Sequence, residues 1–278
     1  MPVRVVESKQ NARLKELRRA LAASGRDARG RVGLEGSNLL EEALRAGVRV
    51  ATIFVAQGSE GLLGALTVPP EIDILLVPRE LLDSALATET PQPIAALVEP
   101  PDWTWAHLLS TPRDSAALVV VLAGIQDPGN LGTMVRSAEA FGATGIVSLP
   151  GTVSAWNPKA VRASAGSIFR VPLLCASERE CFEELREAGV KVFATTVQAA
   201  QPADLADLAG PVALIIGNEG NGVPRKLASH ADGALTIPCP GPVESLNAAV
   251  AASVLLYEAA RQRSALSGGP LDHRGARR

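Results

Sequence analysis

The chain has 278 residues, a net charge of −2, 47% hydrophobic residues and only 3% aromatic residues. This length allows two domains with a sizeable core, and the shortage of aromatics argues against nucleic-acid binding through many stacked rings. No apolar run approaches the ~18 residues that a membrane span needs. We therefore expect an α/β protein whose core is built from Ala, Val, Leu and Ile, as in parallel sheets.

The charge is distributed unevenly along the chain. Residues 1–31 contain nine basic residues against three acidic ones, namely Arg4, Lys9, Arg13, Lys15, Arg18, Arg19, Arg26, Arg29 and Arg31 against Glu7, Glu16 and Asp27. The C-terminal tail from Arg261 adds five arginines against Asp272 alone. Basic ends favour contact with a polyanion, although solvated, soluble termini explain the charge equally well.

Cysteine and histidine spacing predicts neither disulfides nor a metal site. The three cysteines form no CxxC pair, and the three histidines are scattered without an HExxH motif. An odd cysteine count without a recognisable signal peptide points to a reducing cytoplasm. We expect no bound metal.

The first hundred residues predict a compact α/β unit. Its elements are a basic amphipathic helix at 7–23, strands at 31–36, 48–56, 71–78 and 92–100, a helix from Ser37 or Asn38 to Arg45, a weakly helical stretch at 59–67 and a short helix at 78–86. The composition then changes, with two prolines and two tryptophans close together, and we predict a linker at 101–115. We expect Trp103 and Trp105 to pack between domains rather than to contact a ligand.

The second domain is predicted to span 116–263, followed by a flexible basic tail at 264–278. Strands are expected at 117–123, 144–149, 190–196, 211–216 and 233–237, and helices at 130–141, 157–165, 178–188 and 245–263. Such alternation predicts a mostly parallel sheet with helices on both faces.

Three loops in this domain follow buried strands, at 125–130, 215–224 and 237–250. In the first, Asn130 is expected to cap a helix from whose second turn Arg136 projects. The second has the spacing GxxGxG without a following lysine, which fits neither a dinucleotide fingerprint nor a P-loop. In the third, Ser245 or Asn247 caps the last helix. Turn and cap chemistry alone explains each loop, but three loops at one sheet edge indicate a ligand site.

These segments resemble the three motifs of the SpoU (TrmH-like) RNA ribose 2′-O-methyltransferases, in the SPOUT superfamily. Asn130–Gly142 resembles the first motif. Gly217–Val223, with its sequence GNEGNGV, resembles the second, and the segment from Ile237 to Glu258 resembles the third. More loosely, Val32–Gly47 is similar to the L30e-like RNA-binding domain that often precedes SpoU domains.

The resemblance implies a C-terminal trefoil knot, bound S-adenosylmethionine and a homodimer formed through the C-terminal helices. The cofactor-binding residues that it implies are Gly217, Ile237, Leu246, Thr195, Asn218 and Asn247. The catalytic residues that it implies are Arg136, Asn130 and Glu219. The residues expected to contact substrate RNA are Arg13, Arg18, Arg31, Arg136 and Ser245.

The reaction implied is an in-line displacement in which a ribose 2′-oxygen attacks a sulfonium methyl carbon. It needs alignment of the reacting atoms and a more nucleophilic oxygen, but no metal. The resemblance casts Arg136 as a base assisted by a substrate phosphate. An arginine pKa of at least ~12 favours instead a cation that stabilises the developing alkoxide. A third alternative is an arginine that only pairs with Glu139.

The favoured function is therefore 2′-O-methylation of ribosomal RNA, of the 23S type. Transfer RNA is the main alternative substrate, and a non-catalytic RNA-binding protein with this fold is a second alternative. An ordinary nucleotide-dependent oxidoreductase would need a phosphate-cradling glycine loop after the first strand of the domain, which 127–130 does not supply.

Overall fold

The computed structural model describes residues 3–22, 25–86, 88–111, 116–197 and 201–266. The chain divides into an N-terminal unit, made of Met1–Asp102 and Ser154–Arg170, and a C-terminal unit, made of Trp103–Val153 and Val171–Arg278. Among the helices of the described ranges, none is long and apolar enough to cross a membrane.

The N-terminal unit is built on a five-stranded mixed sheet of order β1-β4-β3-β5-β2. Its first elements are β1 (Val3–Val5), α1 (Ala12–Ala20), β2 (Val32–Glu35), α2 (Ser37–Arg45), β3 (Val50–Ala56), β4 (Asp73–Val77), α3 (Arg79–Asp83) and β5 (Ile94–Val98), with a 3-10 turn at Glu60–Ala65. Strands β1, β4 and β3 are parallel, whereas β5 runs antiparallel to both β3 and β2.

Helix α1 is shorter than the predicted helix at 7–23. The Asn11 side chain accepts a hydrogen bond from the backbone N–H of Arg13 at 2.9 Å, which fixes the helix start. Residues Val3–Val5 form an edge strand that the sequence pattern did not predict, because three residues are too few to show alternation. Leu14 and Leu17 are buried, so the basic side chains of α1 lie on its solvent side.

Arg31 lies in a buried ion-pair network. Its guanidinium donates to the Asp27 carboxylate at 2.6 and 2.8 Å and lies 2.8 Å from a Glu16 oxygen. The Arg31 and Asp27 side chains are 5% and 0% exposed. The prediction that Arg31 contacts RNA finds no support in the structure, because its charge is already paired inside the fold.

The same network makes the N-terminal unit sensitive to acid. Burial acts to raise the pKa of the Glu16 and Asp27 carboxyls, but their hydrogen bonds with Arg31 outweigh this effect, and both pKa values are lowered. Carboxyls with a lowered folded-state pKa stabilise the fold above the ordinary carboxyl range. That stabilisation is lost as the pH falls through the folded-state values.

The remaining elements of the chain include the strands of a second sheet. They are α4 (Trp105–Leu109), β6 (Leu118–Ala123), α5 (Pro128–Ala140), β7 (Gly145–Ser148), α6 (Pro158–Ala163), β8 (Leu173–Cys175), α7 (Glu178–Glu187), β9 (Lys191–Thr195), β10 (Gln201–Pro202), β11 (Val212–Gly217), α8 (Arg225–Ala228), β12 (Gly233–Thr236) and α9 (Ala248–Leu266). The seven strands have the order β10-β12-β9-β11-β6-β7-β8, and every paired neighbour is parallel. The predicted α/β class with a parallel sheet is confirmed.

Helices cover the central strands of this sheet on both faces. On one face Val119 and Val121 of β6 belong to a core cluster with Phe182 and Leu185 of α7. Residues of opposite parity in β6 point to the other face, where α5 and α9 pack on each other and contact β7 and β11. All six residues of β6 are buried, which explains its uninterrupted apolar sequence.

Segment 154–170 belongs to the N-terminal unit, although the sequence interpretation placed it in the second domain. Gly25 has φ +70°, and a Cβ there would lie 1.9 Å from the Trp156 carbonyl oxygen. Arg170 pairs with Glu42 at 2.6 Å. Because these partners are more than a hundred residues apart along the chain, no local pattern announces the contact.

Part of the predicted linker at 101–115 is helical. Helix α4 buries Leu108, which lies against Gly145 at the start of β7. The Trp103 ring lies edge-on to His107, and the Trp105 indole donates to Glu180 at 3.0 Å. Both tryptophans thus make contacts within the C-terminal unit.

We expect Asp27→Asn to lower the free energy of unfolding of the N-terminal unit by about 3 kcal/mol, because it leaves the buried Arg31 cation short of one partner. The loss is measured by urea unfolding, monitored through the hydrogen exchange of the β2 and β5 amides. The matched control is Glu41→Gln, which removes a more exposed pair with Arg45 and should cost less than about 1 kcal/mol. Equal losses for the two variants would contradict the buried-network interpretation.

Candidate active site

The carboxyl ends of four neighbouring strands bring the predicted loops together. Strands β12, β9, β11 and β6 are adjacent and parallel, so their ends share one edge of the sheet. Gly217, the last residue of β11, pairs with Ala123, the last residue of β6. The loops after these two strands therefore start side by side, where the strand order changes direction along the sheet.

Glu219 ties these two loops together. Its carboxylate accepts hydrogen bonds from the backbone N–H groups of Gln126 and Asp127, each at 3.2 Å, and from the Asn130 side chain at 2.9 Å. Desolvation acts to raise the pKa of Glu219, but these hydrogen bonds together lower it. The group is therefore a carboxylate that accepts hydrogen bonds, which does not suit it to act as a proton donor.

A second amide extends this network to the last helix. Asn247 donates from its side chain to the Asn130 side-chain oxygen at 3.1 Å. Its own side-chain oxygen accepts from the backbone N–H groups of Ala249 and Val250, at 2.9 and 3.3 Å, so Asn247 caps α9. Glu219, Asn130 and Asn247 thus form one hydrogen-bonded chain across three segments.

Asn130 is not the cap of α5. The helix begins at Pro128, and the Asp127 side chain accepts from the backbone N–H of Asn130 at 3.2 Å. Proline favours the first helical position, because its φ is already helical and it has no N–H to satisfy. The earlier start leaves the Asn130 side chain free to join Glu219 and Asn247.

Arg136 lies further along α5 with an exposed side chain. Within the described ranges, its side chain makes no hydrogen bond or ion pair. The alternative that Arg136 is only the structural partner of Glu139 finds no support. Six residues separate it from Asn130, so the two side chains leave the helix in directions about 120° apart.

The glycine-rich turn after β11 is closed by its own backbone. Asn218 and Gly222 exchange two backbone hydrogen bonds, at 3.0 and 2.9 Å. The Asn218 side chain donates to the Gly124 carbonyl at 2.8 Å and accepts from the N–H of Gly220 at 2.9 Å. A Cβ at Gly217 would lie 2.1 Å from the Gly222 carbonyl carbon, so only glycine fits this turn.

The remaining predicted residues lie at the same edge. Thr195 ends β9 and donates to the Ile215 carbonyl at 2.8 Å. Ile237 and Leu246 are half-buried in the loop between β12 and α9, and Ser245 is exposed there. By contrast, Arg13 and Arg18 belong to α1 of the N-terminal unit, where Arg13 pairs with Glu16 at 3.3 Å.

The sequence interpretation missed Gln126. Its side chain donates to the Gly151 carbonyl at 2.6 Å, which ties the loop after β6 to the loop after β7. In that second loop, the Thr152 hydroxyl oxygen accepts from the N–H of Gly124 at 3.0 Å. The Pro-Gly-Thr sequence at 150–152 was the available signal, because it follows a strand just as the three recognised loops do.

In the described residues no group of three or more His, Cys, Asp or Glu gathers in a way that could hold a metal ion. Among the described residues, the edge offers amides, the Glu219 and Asp127 carboxylates and exposed backbone, with the exposed Arg136 further along α5. A parallel α/β sheet with such a polar edge at its switch point defines a protein that binds a small ligand there.

Comparison with known proteins places the chain within this class. The SpoU rRNA Methylase family matches residues 117–257, and the domain described as RNA 2′-O ribose methyltransferase substrate binding matches residues 34–104. The chain belongs to the SpoU rRNA methylase family. It is an RNA methyltransferase with a substrate-binding domain in front of its catalytic domain.

Similar proteins cover nearly the whole chain. A 23S rRNA (guanosine(2553)-2′-O)-methyltransferase, RlmP of Bacillus subtilis, is 34% identical over 91% of this chain and 97% of its own length. The AviRb methyltransferase of Streptomyces viridochromogenes in complex with AdoMet has a TM-score of 0.80 and 29% identity, over 94% of this chain and 100% of that one. An AdoMet-bound rRNA methyltransferase from Sinorhizobium meliloti has a TM-score of 0.81 and 31% identity, over 93% and 98%.

We expect Glu219→Gln to loosen the loop after β6. Glutamine has one neutral carbonyl oxygen in place of the two charged oxygens of glutamate. It therefore cannot accept all three hydrogen bonds that Glu219 accepts. Amide hydrogen exchange at Gln126 and Asp127 should accelerate about tenfold or more, because a hydrogen bond to a charged group contributes about 1.5–3 kcal/mol.

The control is Glu187→Gln at the end of α7, which removes the same charge from an exposed position. It should leave these two exchange rates unchanged. Unchanged rates in Glu219→Gln itself would show that the carboxylate does not hold the loop.

Proposed function

We propose that this protein transfers a methyl group from S-adenosylmethionine to a ribose 2′-hydroxyl of ribosomal RNA. The observation that supports this most directly is the Glu219–Asn130–Asn247 chain, which joins all three family motifs at one sheet edge. The 23S rRNA specificity of the Bacillus subtilis relative favours ribosomal over transfer RNA.

The residues present fit S-adenosylmethionine. The loops after β9, β11 and β12 offer exposed backbone for hydrogen bonds, and the half-buried Ile237 and Leu246 offer apolar contacts for an adenosine. We assign cofactor binding to Gly217, Ile237 and Leu246, with Thr195, Asn218 and Asn247 beside them. When bound, the cofactor supplies an electrophilic methyl group.

Arg136 is the residue that we assign to activation of the ribose oxygen. Its guanidinium is exposed, so it is available to an RNA substrate. A fixed cation stabilises negative charge developing on the 2′-oxygen and holds a neighbouring phosphate through paired donors. Loss of a guanidinium proton at neutral pH would be costly, because arginine side chains stay protonated in proteins.

Asn130 and Glu219 act with Arg136 at the substrate side of the site. With its amide held by Glu219 and its oxygen by Asn247, Asn130 has a fixed orientation. Such fixed groups lower the entropy cost of aligning the attacking oxygen with the methyl carbon. Exposed Ser245 is a further candidate contact for the RNA.

The N-terminal unit is the proposed RNA-binding domain, of the L30e-like type. Arg18 lies exposed on α1, with one long hydrogen bond to the Ser84 carbonyl at 3.3 Å, and Arg13 lies on the same helix. Lys15 and Arg19 are also exposed there. We assign backbone-phosphate contacts to this face of α1.

A homodimer formed through α9 is the proposed assembly. Val250, Val254 and Tyr257 are 49%, 40% and 45% exposed, and their spacing of four and three residues places them on one face of the helix. Ala249 and Ala252 of the same helix are buried within their own chain, so the exposed apolar face is the one that suits a partner subunit.

The trefoil knot and the cytoplasmic location belong to the same proposal. Strand β11 enters the sheet between the earlier strands β9 and β6, and α9 returns to pack on α5, which is compatible with a threaded C-terminal segment. Ribosomal RNA as the substrate implies a cytoplasmic enzyme.

We expect Arg136→Ala to abolish transfer of labelled methyl groups to RNA, detected as 2′-O-methylnucleosides after digestion. Arg136→Lys keeps the charge without the paired donors, and an electrostatic role predicts substantial surviving activity. Loss of activity in both variants would favour a base or a bidentate phosphate contact. The control is Arg179→Ala, an exposed arginine on α7. If the wild-type enzyme transfers no labelled methyl group to RNA, the result contradicts the proposed function.

We expect Arg18→Gln to weaken RNA binding and to lower the slope of log affinity against log salt by roughly 0.7–0.9, the change for one lost phosphate contact. The control is Arg45→Gln on α2, whose charge is paired with Glu41 and Glu42. A filter-binding titration at several salt concentrations measures both quantities. Equal slopes for Arg18→Gln and the wild type would exclude Arg18 from the RNA contact.

A further inference from the structure

Arg263, in the last turn of α9, donates hydrogen bonds to four backbone carbonyls. Its guanidinium contacts the Ala116 oxygen at 2.6 Å, the Ala117 oxygen at 3.0 Å, the Gly210 oxygen at 2.7 Å and the Leu208 oxygen at 3.2 Å. The side chain is half-buried. Burial lowers the pKa of Arg263, so the charge is held there at some cost in desolvation.

The preceding residue, Gln262, holds the same segment. Its side-chain oxygen accepts from the N–H of Leu208 at 2.8 Å, and its amide donates to the Ala206 carbonyl at 2.9 Å. Two consecutive side chains of α9 therefore fix the backbone of 206–210. We call this set of contacts the Arg263 clamp.

The clamped carbonyls precede the two central strands. Residues 116–117 lead into β6, and 206–210 lead into β11. The opposite ends of these strands carry the loops that Glu219 joins. The clamp thus holds the end of α9 at the amino edge of the same strands whose carboxyl edge forms the candidate site.

Helix α9 runs alongside α5 with matched contacts. Asn247 contacts Asn130 at 3.1 Å, and the Ser253 and Ser137 hydroxyls lie 2.7 Å apart. The Tyr257 and Phe141 rings meet edge to face at 5.8 Å. Because the residue numbers rise together, the two helices are parallel, and a shift of α9 along its axis would disturb every one of these contacts.

A simpler explanation treats Arg263 as a favourable charge at a helix C-terminus. Arg263 lies in the last turn, where that effect applies, but a favourable charge there does not require four defined carbonyl partners. A planar guanidinium with five donors suits several acceptors in fixed positions, which a lysine does not match. The geometry therefore points to a requirement for position as well as charge.

We propose that Arg263 is a positioning residue for methyl transfer. Its clamp sets the axial position of α9, and so the reach of Asn247 to Asn130, about 24 Å away along the helix at 1.5 Å per residue. This inference rests on the proposed function for its catalytic consequence. Its structural part, the coupling of the clamp to the first turn of α9, stands independently.

The test compares Arg263→Ala and Arg263→Lys with Arg261→Ala. Arg261 is exposed and pairs with Glu258 of its own helix, so its replacement removes the same charge and leaves the four hydrogen bonds of Arg263 in place. Methyl transfer is measured at a temperature where each variant is fully folded by circular dichroism. Arg263→Ala should lower kcat between about tenfold and a hundredfold, the loss expected when a reacting group is displaced by about an ångström.

Three further results are expected. Arg261→Ala should keep wild-type kcat, and Arg263→Lys should recover part of the loss. The double variant Asn247→Ala with Arg263→Ala should be no slower than Asn247→Ala alone, because both changes break one connection. A lowered Tm with unchanged kcat in Arg263→Ala, or additive losses in the double variant, would overturn the positioning role.

Hydrogen exchange separates this inference from the proposed function. The amides of Ala249 and Val250 donate to the Asn247 side chain, so their exchange reports the first turn of α9. They should exchange faster in Arg263→Ala, or in Arg263→Lys if the alanine variant does not fold, than in Arg261→Ala. Equal rates would overturn the coupling. An absence of methyl transfer by the wild type would overturn the catalytic role and the proposed function, but not this structural coupling.

Discussion

The Glu219 carboxylate is the interaction on which the candidate site depends. The loops around it contain glycine and proline, and neither helical nor sheet hydrogen bonds hold them to each other. One carboxylate accepts two backbone N–H groups and the Asn130 amide, which joins the loop after β6, the turn after β11 and the first turn of α5. Because the acceptor is charged, these hydrogen bonds outweigh the cost of partial burial.

The parallel sheet sets where this interaction can occur. Parallel strands place all their carboxyl ends at one edge of the sheet, so this arrangement alone brings together loops that are distant in sequence. Helix α9 then spans the sheet, with Asn247 at the carboxyl edge and Arg263 at the amino edge. The site is thus held from both ends of the same strands, and the chemistry assigned to it needs that rigidity to align an oxygen, a carbon and a sulfur.

Arginine serves two different purposes in the two units. Arg31 is buried with Asp27 and Glu16, whereas Arg136 is exposed on α5. Residue type and neighbouring sequence do not distinguish the two arginines, because each has an acidic residue within four positions along the chain. Only the neighbours supplied by folding separate a charge that stabilises the core from one that is available to a substrate.

The sequence by itself determined the α/β class, the five longer strands and helices α5, α7 and α9 of the C-terminal unit, and three of the loops at its candidate site. Buried parallel strands, glycine turns and proline at a helix start are local signals, readable from residue type and spacing. The tertiary structure alone decided that 154–170 packs with the N-terminal unit, that Asp127 rather than Asn130 caps α5, and that Arg31 and Arg263 are committed to buried partners. The ion pairs and the clamp depend on where side chains lie in the folded chain. Hydrophobic periodicity shows which positions are apolar, so it cannot predict which polar groups pair.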